Sequence, residues 1–162
     1  MNKLYYSYND LVSDCRIIAR EMAHESYKPD VIIGPGRGAY PFGVMLSHYF
    51  EVPFEAFRWQ TRDGKIEDSE TLKHILSKYI SKNILVVDDI NDSGKTLHGI
   101  SSVIKDFDSK QNNNMFTLHE GIKFATLFDK ESSEFNEVEF TANFVLPDQE
   151  RWIVFPYEEW WK

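Results

Sequence analysis

The sequence predicts an α/β fold: a mostly parallel central sheet with helices on both faces. Two observations carry this. Val31-Ile32-Ile33 and Ile84-Leu85-Val86-Val87 are short, continuous apolar runs of the kind used by strands buried on both faces. Segments with apolar residues at helical spacing alternate with such runs, and that alternation builds parallel sheets.

Taken in order, Leu4 to Tyr8 is a short aromatic opening, and Asn9 is predicted to cap a helix carrying Leu11, Cys15, Ile18 and Met22. Pro29 closes the next loop, and Gly34 to Gly38 are expected to break the strand begun at Val31. Pro41 suits the first turn of a helix with Val44, Met45, Leu46, Tyr49 and Phe50, before a strand over Phe54 to Trp59. Gln60 to Ser69 is polar and charged, hence a predicted long mobile loop; Leu72, Ile75, Leu76 and Tyr79 then repeat as a short helix. The strand Ile84 to Val87 precedes a helix with Leu97, Ile100, Val103, Ile104 and Phe107 on one face. Ser109 to Asn114 reads as a surface connection, Phe124 to Phe128 as a strand and Val138 to Leu146 as an alternating strand. The tail Trp152 to Trp161 is unusually aromatic, with Trp160 and Trp161 expected to pack against the body or against a second subunit. No repeat or linker divides residues 1–162, so one domain is expected.

Charge and composition narrow the function classes. Eighteen Lys and Arg against 26 Asp and Glu give a net charge of -8, which repels nucleic acid and anionic membranes. Cys15 is the single cysteine, and the five histidines show no HExxH spacing, so neither a disulfide framework nor a zinc site is expected. No apolar run approaches the ~20 residues that span a bilayer. The first residues lack a signal-peptide pattern, and the expected location is the cytoplasm.

The chemistry concentrates at strand ends. Asp88 and Asp89 stand together where a buried strand finishes, and their desolvation and mutual repulsion call for hydroxyls, backbone donors or a cation. A sugar diol or hydrated metal would satisfy them. Ser93-Gly94-Lys95-Thr96 follows with hydroxyls, a flexible glycine and a helix start, a cradle for a phosphate monoester. A triphosphatase P-loop fails, because Asp89 stands where that loop needs glycine. Gly34-Pro35-Gly36-Arg37-Gly38 is a second glycine-rich turn whose one fixed cation suits a polyanion.

The stretch Val86-Val87-Asp88-Asp89-Ile90-Asn91-Asp92-Ser93-Gly94-Lys95-Thr96-Leu97 resembles the phosphoribosyl-pyrophosphate (PRPP) signature of type I phosphoribosyltransferases. The resemblance extends over Ile32 to Gly38 and Trp152 to Pro156, and is greatest for bacterial xanthine-guanine enzymes and short archaeal purine enzymes. It implies a small C-terminal base-binding hood and a transfer of phosphoribose from PRPP to a 6-oxopurine (hypoxanthine, guanine or xanthine), yielding a nucleoside monophosphate and pyrophosphate.

Under that resemblance Asp88 and Asp89 hold the ribose hydroxyls and, through water, Mg2+. Asp92 is the catalytic residue at the purine N7, and Ser93, Gly94, Lys95 and Thr96 bind the 5′-phosphate. Gly36, Arg37 and Gly38 contact pyrophosphate, often beside a strained or cis peptide. Arg62 and Lys65 lie on the loop that closes over PRPP. Lys130 donates to the purine O6, Trp152 stacks on the base and Ile153 uses its backbone. The chain departs from the pattern at Gly36, where serine is commoner, at Ser93, where threonine is commoner, and at Val154, where bacterial xanthine-guanine enzymes carry an acid. Relatives are commonly dimers or tetramers, so a homo-oligomer is implied. The alternatives are a non-catalytic PRPP- or nucleotide-sensing regulator of the same fold and a phosphoribosyltransferase for another base.

Overall fold

The computed structural model describes residues 2–61, 65–111 and 121–162. Its elements are β1 (Lys3–Tyr5), α1 (Tyr8–His24), β2 (Val31–Gly36), α2 (Ala39–Phe50), β3 (Phe54–Gln60), β4 (Ile66–Glu67), α3 (Ser69–Lys78), β5 (Ile84–Asn91), α4 (Lys95–Lys110), β6 (Ile122–Lys130), β7 (Phe140–Val145) and β8 (Trp152–Val154), with a 3-10 turn at Pro147–Gln149. Six strands form one sheet in the order β4-β3-β2-β5-β6-β7. Every pairing in it is parallel except β3 with β4.

Alternation along the central strands decides which helices lie where. Ile32, Leu85 and Val87 face a core made with Leu11, Ile18 and Met22 of α1 and Phe42 and Leu46 of α2. Val31, Ile33, Ile84 and Val86 face the opposite core, with Leu72, Ile75 and Leu76 of α3 and Leu97, Ile100 and Ile104 of α4. Both faces are covered, which is why these strands read as unbroken apolar runs.

Several boundaries differ from expectation for identifiable reasons. The cap of α1 is Ser7, not Asn9: Ser7 Oγ accepts from Asp10 N, and Asp10 Oδ2 accepts from Ser7 N at 2.8 Å. Ser7 has an acid three residues on to reciprocate, whereas Asn9 is followed there by Val12. The strand from Val31 continues through Gly36, paired with β3 as far as Gly36 opposite Arg58. Pro35 is tolerated because pairing of β2 with β5 ends at Ile33, leaving no demand for its missing N–H on that side. The stretch Gln60 to Ser69 is not wholly loop: β3 runs to Gln60, and β4 folds back antiparallel on Trp59 and Gln60. Part of the connection predicted at Ser109 to Asn114 is helix, since α4 runs to Lys110, and its residues 112–114 lie outside the described ones.

The largest revision concerns the hood. The opening residues form β1, which pairs in parallel with β8. The hood is therefore built from both chain ends, not from the C-terminus alone. Tyr6 ties it to the body, donating to Asp14 Oδ2 at 2.6 Å beneath rings of Phe128 and Phe155. Asn143 of β7 donates to the same carboxylate oxygen, so α1, β7 and the end of β1 meet at one buried acid.

Candidate active site

The strand order reverses between β2 and β5, where α2 leaves toward one face and α4 toward the other. The two strands pair only from Val31 to Ile33 against Ile84 to Val86, so their carboxyl ends part and open a crevice. From β2 it receives Gly36, Arg37 and Gly38; from β5 it receives Asp88 through Thr96. A cavity of about 220 Å³ is lined by the turn from Asp88 to Leu97 together with Gln60 and Thr61. A larger one of about 860 Å³ shares Asp88, Asp89, Gln60 and Thr96 and is bounded by Arg37, Trp152, Tyr157, Glu158 and Trp161.

Asp88 is buried and accepts from the Asp89 N–H at 3.0 Å. Burial first, and then the Asp89 charge, push its carboxyl well above the ordinary range. Burial likewise raises Asp89, to about 6, against a lowering hydrogen bond from the Tyr157 hydroxyl at 3.1 Å. The same hydroxyl lies 3.4 Å from the Gly38 carbonyl oxygen. Burial and the Asp89 charge together hold the Tyr157 phenol far above its usual range. Tyr157 thus spans the two halves of the crevice. Gly38 is required by this closeness, since a Cβ there would overlap the Asp89 carboxylate. The Gly36–Arg37 peptide is cis.

The turn after β5 is shaped by Gly94, whose φ of +83° precedes the first residue of α4. A Cβ there would lie 2.5 Å from Phe135 N and 2.7 Å from Ser133 Oγ. Asn91, buried, holds that loop in place: it donates to Asp129 and to the Phe135 carbonyl at 2.7 Å each and accepts from Ser133 Oγ at 2.8 Å. Gly94→Ala should therefore destabilise the protein by about 2–4 kcal/mol, through the left-handed backbone and the collision together. An unchanged denaturant midpoint in that variant would refute the account. Thr96 Oγ1 lies 3.2 Å from Thr61 Oγ1, so the end of β3 reaches the phosphate cradle.

Lys130 ends β6 with its side chain largely buried, 2.6 Å from Asp92 Oδ1 and 3.5 Å from Glu150 Oε2. Burial opposes its charge, but Asp92 and then Glu150 outweigh that and hold the ammonium above the usual lysine range. The Glu150 contact draws the end of β6 toward the segment leading into β8. Trp152 N donates to Asn2 O and Tyr6 N donates to Val154 O, both toward β1. The intervening Ile153 must then turn its N–H and C=O away from β1, the orientation a backbone contact to a base requires. Trp152 is 46% exposed at the cleft wall.

Lys65 is not among the residues lining the two chambers; it pairs with Glu67 at 3.2 Å. Its companion Arg62 lies outside the described residues. Trp160 and Trp161 do not pack into the body: they are 77% and 65% exposed, touch one another edge to face, and Trp161 borders the larger chamber. No site role for Tyr157 or Glu150 is read from the sequence. Only the pairing of β8 with β1 and the closure of the crevice bring them to the motif.

Among the described residues no group of three or more His, Cys, Asp or Glu is gathered to chelate an ion, and no helix is long and apolar enough to cross a membrane. Asp88 and Asp89 nonetheless suit a hydrated hard cation shared with ligand oxygens, as a carboxylate pair whose ionisation burial disfavours.

Comparison with known proteins agrees with this geometry. The purine phosphoribosyltransferase of Pyrococcus horikoshii superposes with a TM-score of 0.66 at 26% identity, over 98% of this chain and 95% of that one. The xanthine-guanine-hypoxanthine phosphoribosyltransferase of Helicobacter pylori shares the fold at TM-score 0.66 and 21% identity, over 98% and 93%. In sequence, the hypoxanthine-guanine phosphoribosyltransferase of Saccharomyces cerevisiae is 24% identical, covering 97% of this chain and 86% of its own. That of Schizosaccharomyces pombe is 29% identical across 59% of this chain, a match spanning 56% of the yeast protein. Residues 5–160 match the phosphoribosyl transferase domain family, and with 156 of the 162 positions inside that match the chain belongs to it.

Proposed function

We propose that this chain transfers the phosphoribosyl group of PRPP to a 6-oxopurine, releasing pyrophosphate and forming a nucleoside monophosphate. The observation that carries the reading is the convergence on one crevice of the Asp88–Asp89 pair, the Ser93 to Thr96 turn and Lys130 held on Asp92. Its purine relatives support the choice of acceptor.

The Gly94 turn and the α4 N-terminus receive the 5′-phosphate, aided by the Thr96 hydroxyl. Asp88 and Asp89 accept from the ribose hydroxyls, and their negative charge favours the cation-like sugar that develops as the bond to pyrophosphate breaks. Arg37 and the backbone of Gly36 and Gly38 meet the leaving group from β2. Mg2+, when bound, neutralises the pyrophosphate charge. Trp152 covers the base, Lys130 donates to O6, and Asp92 takes the N7 proton once Lys130 has moved onto the base. Arg62 and Lys65 remain assigned to closure over PRPP. A homo-oligomer and a cytoplasmic location complete the proposal.

The test is pyrophosphate release from PRPP and Mg2+ with hypoxanthine, guanine, xanthine, adenine or uracil supplied singly. Turnover confined to oxopurines is expected, and Lys130→Ala should raise the KM for the base by about 10- to 100-fold with a far smaller change for PRPP. PRPP binding without turnover on any base would move the assignment to a regulator.

A further inference from the structure

The turn assigned to pyrophosphate has no side chain at Gly36, where serine is commoner among the proteins it resembles. The space is taken by another residue. A Cβ built on Gly36 would overlap the hydroxyl of Tyr40, with Tyr40 Cζ 2.8 Å away. Tyr40 lies in the first turn of α2. Its N–H donates to the Arg37 carbonyl at 3.0 Å, and its ring stands edge-on to Phe54 with the centroids 6.0 Å apart. These contacts hold the ring back over the turn, so the phenol oxygen occupies the position at which a side chain of residue 36 would begin.

Among the described residues that hydroxyl has no hydrogen-bond partner. Tyr40 lines the larger chamber together with Gly36, Arg37 and Gly38. It also lines a further cavity of about 380 Å³ that shares this corner and reaches Arg58 on β3. Among the described residues the lining of that cavity holds the guanidinium groups of Arg37 and Arg58 and no carboxylate, whereas the larger chamber carries Asp88, Asp89 and Glu158. The Gly36 side of the crevice therefore favours an anion, and a phenol whose proton is uncommitted is a donor for its oxygens.

We propose that Tyr40 is a further pyrophosphate-binding residue, supplying from α2 the hydroxyl that a serine at position 36 would supply from the turn itself. Gly36 and Tyr40 form a matched pair: the glycine leaves the space and the phenol fills it. The inference rests on the PRPP reading, which assigns this turn to the leaving group.

The experiment titrates the protein with inorganic pyrophosphate and Mg2+, and separately with inosine monophosphate, which carries no pyrophosphate. Tyr40→Phe should weaken pyrophosphate binding by about tenfold, the loss of one hydrogen bond to a charged acceptor, and raise the KM for PRPP by a similar factor. Inosine monophosphate should stay within about twofold of wild type. Gly36→Ser alone should also weaken pyrophosphate, because its Cβ meets the phenol. Adding Tyr40→Ala gives the serine room, and the double variant should bind pyrophosphate more tightly than Gly36→Ser or Tyr40→Ala alone. Unchanged pyrophosphate affinity in Tyr40→Phe overturns the proposal, and so does an equal loss for inosine monophosphate, the mark of a site loosened as a whole. A double variant no better than the single ones overturns the pairing of Gly36 with Tyr40 and the proposal with it. Wild-type protein that binds neither pyrophosphate nor PRPP overturns the PRPP reading itself, a result distinct from all of these.

Discussion

Asp92→Asn lowers kcat by about 10²- to 10⁴-fold and leaves the KM for PRPP within a few-fold of wild type; this is the largest catalytic loss expected from one side chain here. The substitution keeps the shape and a hydrogen-bonding oxygen toward Lys130, 2.6 Å away in the wild type, and removes the capacity to accept a proton. Asp92 lies one residue beyond β5, past the two acids assigned to ribose, so its loss should spare sugar and phosphate binding. Steady-state kinetics with saturating base and varied PRPP separate the two effects. Full turnover in the variant would remove Asp92 from the chemistry, and a KM for PRPP that rose as much as kcat fell would place it with the sugar ligands.

Asp88→Asn makes the ligand-free protein more stable at pH 7.5 while PRPP-dependent turnover falls by at least about 10²-fold. Burial and the neighbouring charge raise the Asp88 carboxyl well above the ordinary carboxylate range, and burial raises Asp89 to about 6. An acid whose folded pKa lies above its unfolded value binds more protons folded than unfolded between the two. Stability is then greatest below the unfolded value, near pH 4, and is lost as pH rises through about 6 and beyond. The neutral amide escapes that loss, and the melting temperature should rise by on the order of 5 °C at pH 7.5, with the gap closing toward pH 4. Calorimetry of both proteins between pH 4 and 8 decides it. A variant no more stable than wild type at pH 7.5 would mean that the acid pair is not strained by its own charge.

These two residues also mark how much the sequence by itself carries. The acids at Asp88 and Asp89 and the turn at Ser93 to Thr96 follow one another in the chain, so a local motif suffices to read them. Arg37 and Gly38 likewise lie on one turn. Tyr157 is separated from Asp89 by 68 positions and from Gly38 by 119, and nothing local distinguishes it from the other aromatics of the tail. Glu150 resembles any surface acid until Lys130 and Ser132 are seen against it. Trp59 has no local signal either: its indole Nε1, on β3, is buried with no hydrogen-bond partner among the described residues, beside the close approach of Gly99 on α4.

Membership in the phosphoribosyl transferase family, the parallel sheet and the order of its elements were determined by the sequence, because each rests on short-range pattern. Strand runs, helical spacing and a contiguous motif are properties of neighbours in the chain. Strand β4, the pairing of β8 with β1, and the meeting of Tyr157 and Glu150 with the motif were decided only by tertiary structure. A two-residue strand carries no periodicity, a parallel pair between the two chain ends leaves no turn to announce it, and a side chain's partners across a crevice depend on how the sheet twists and closes.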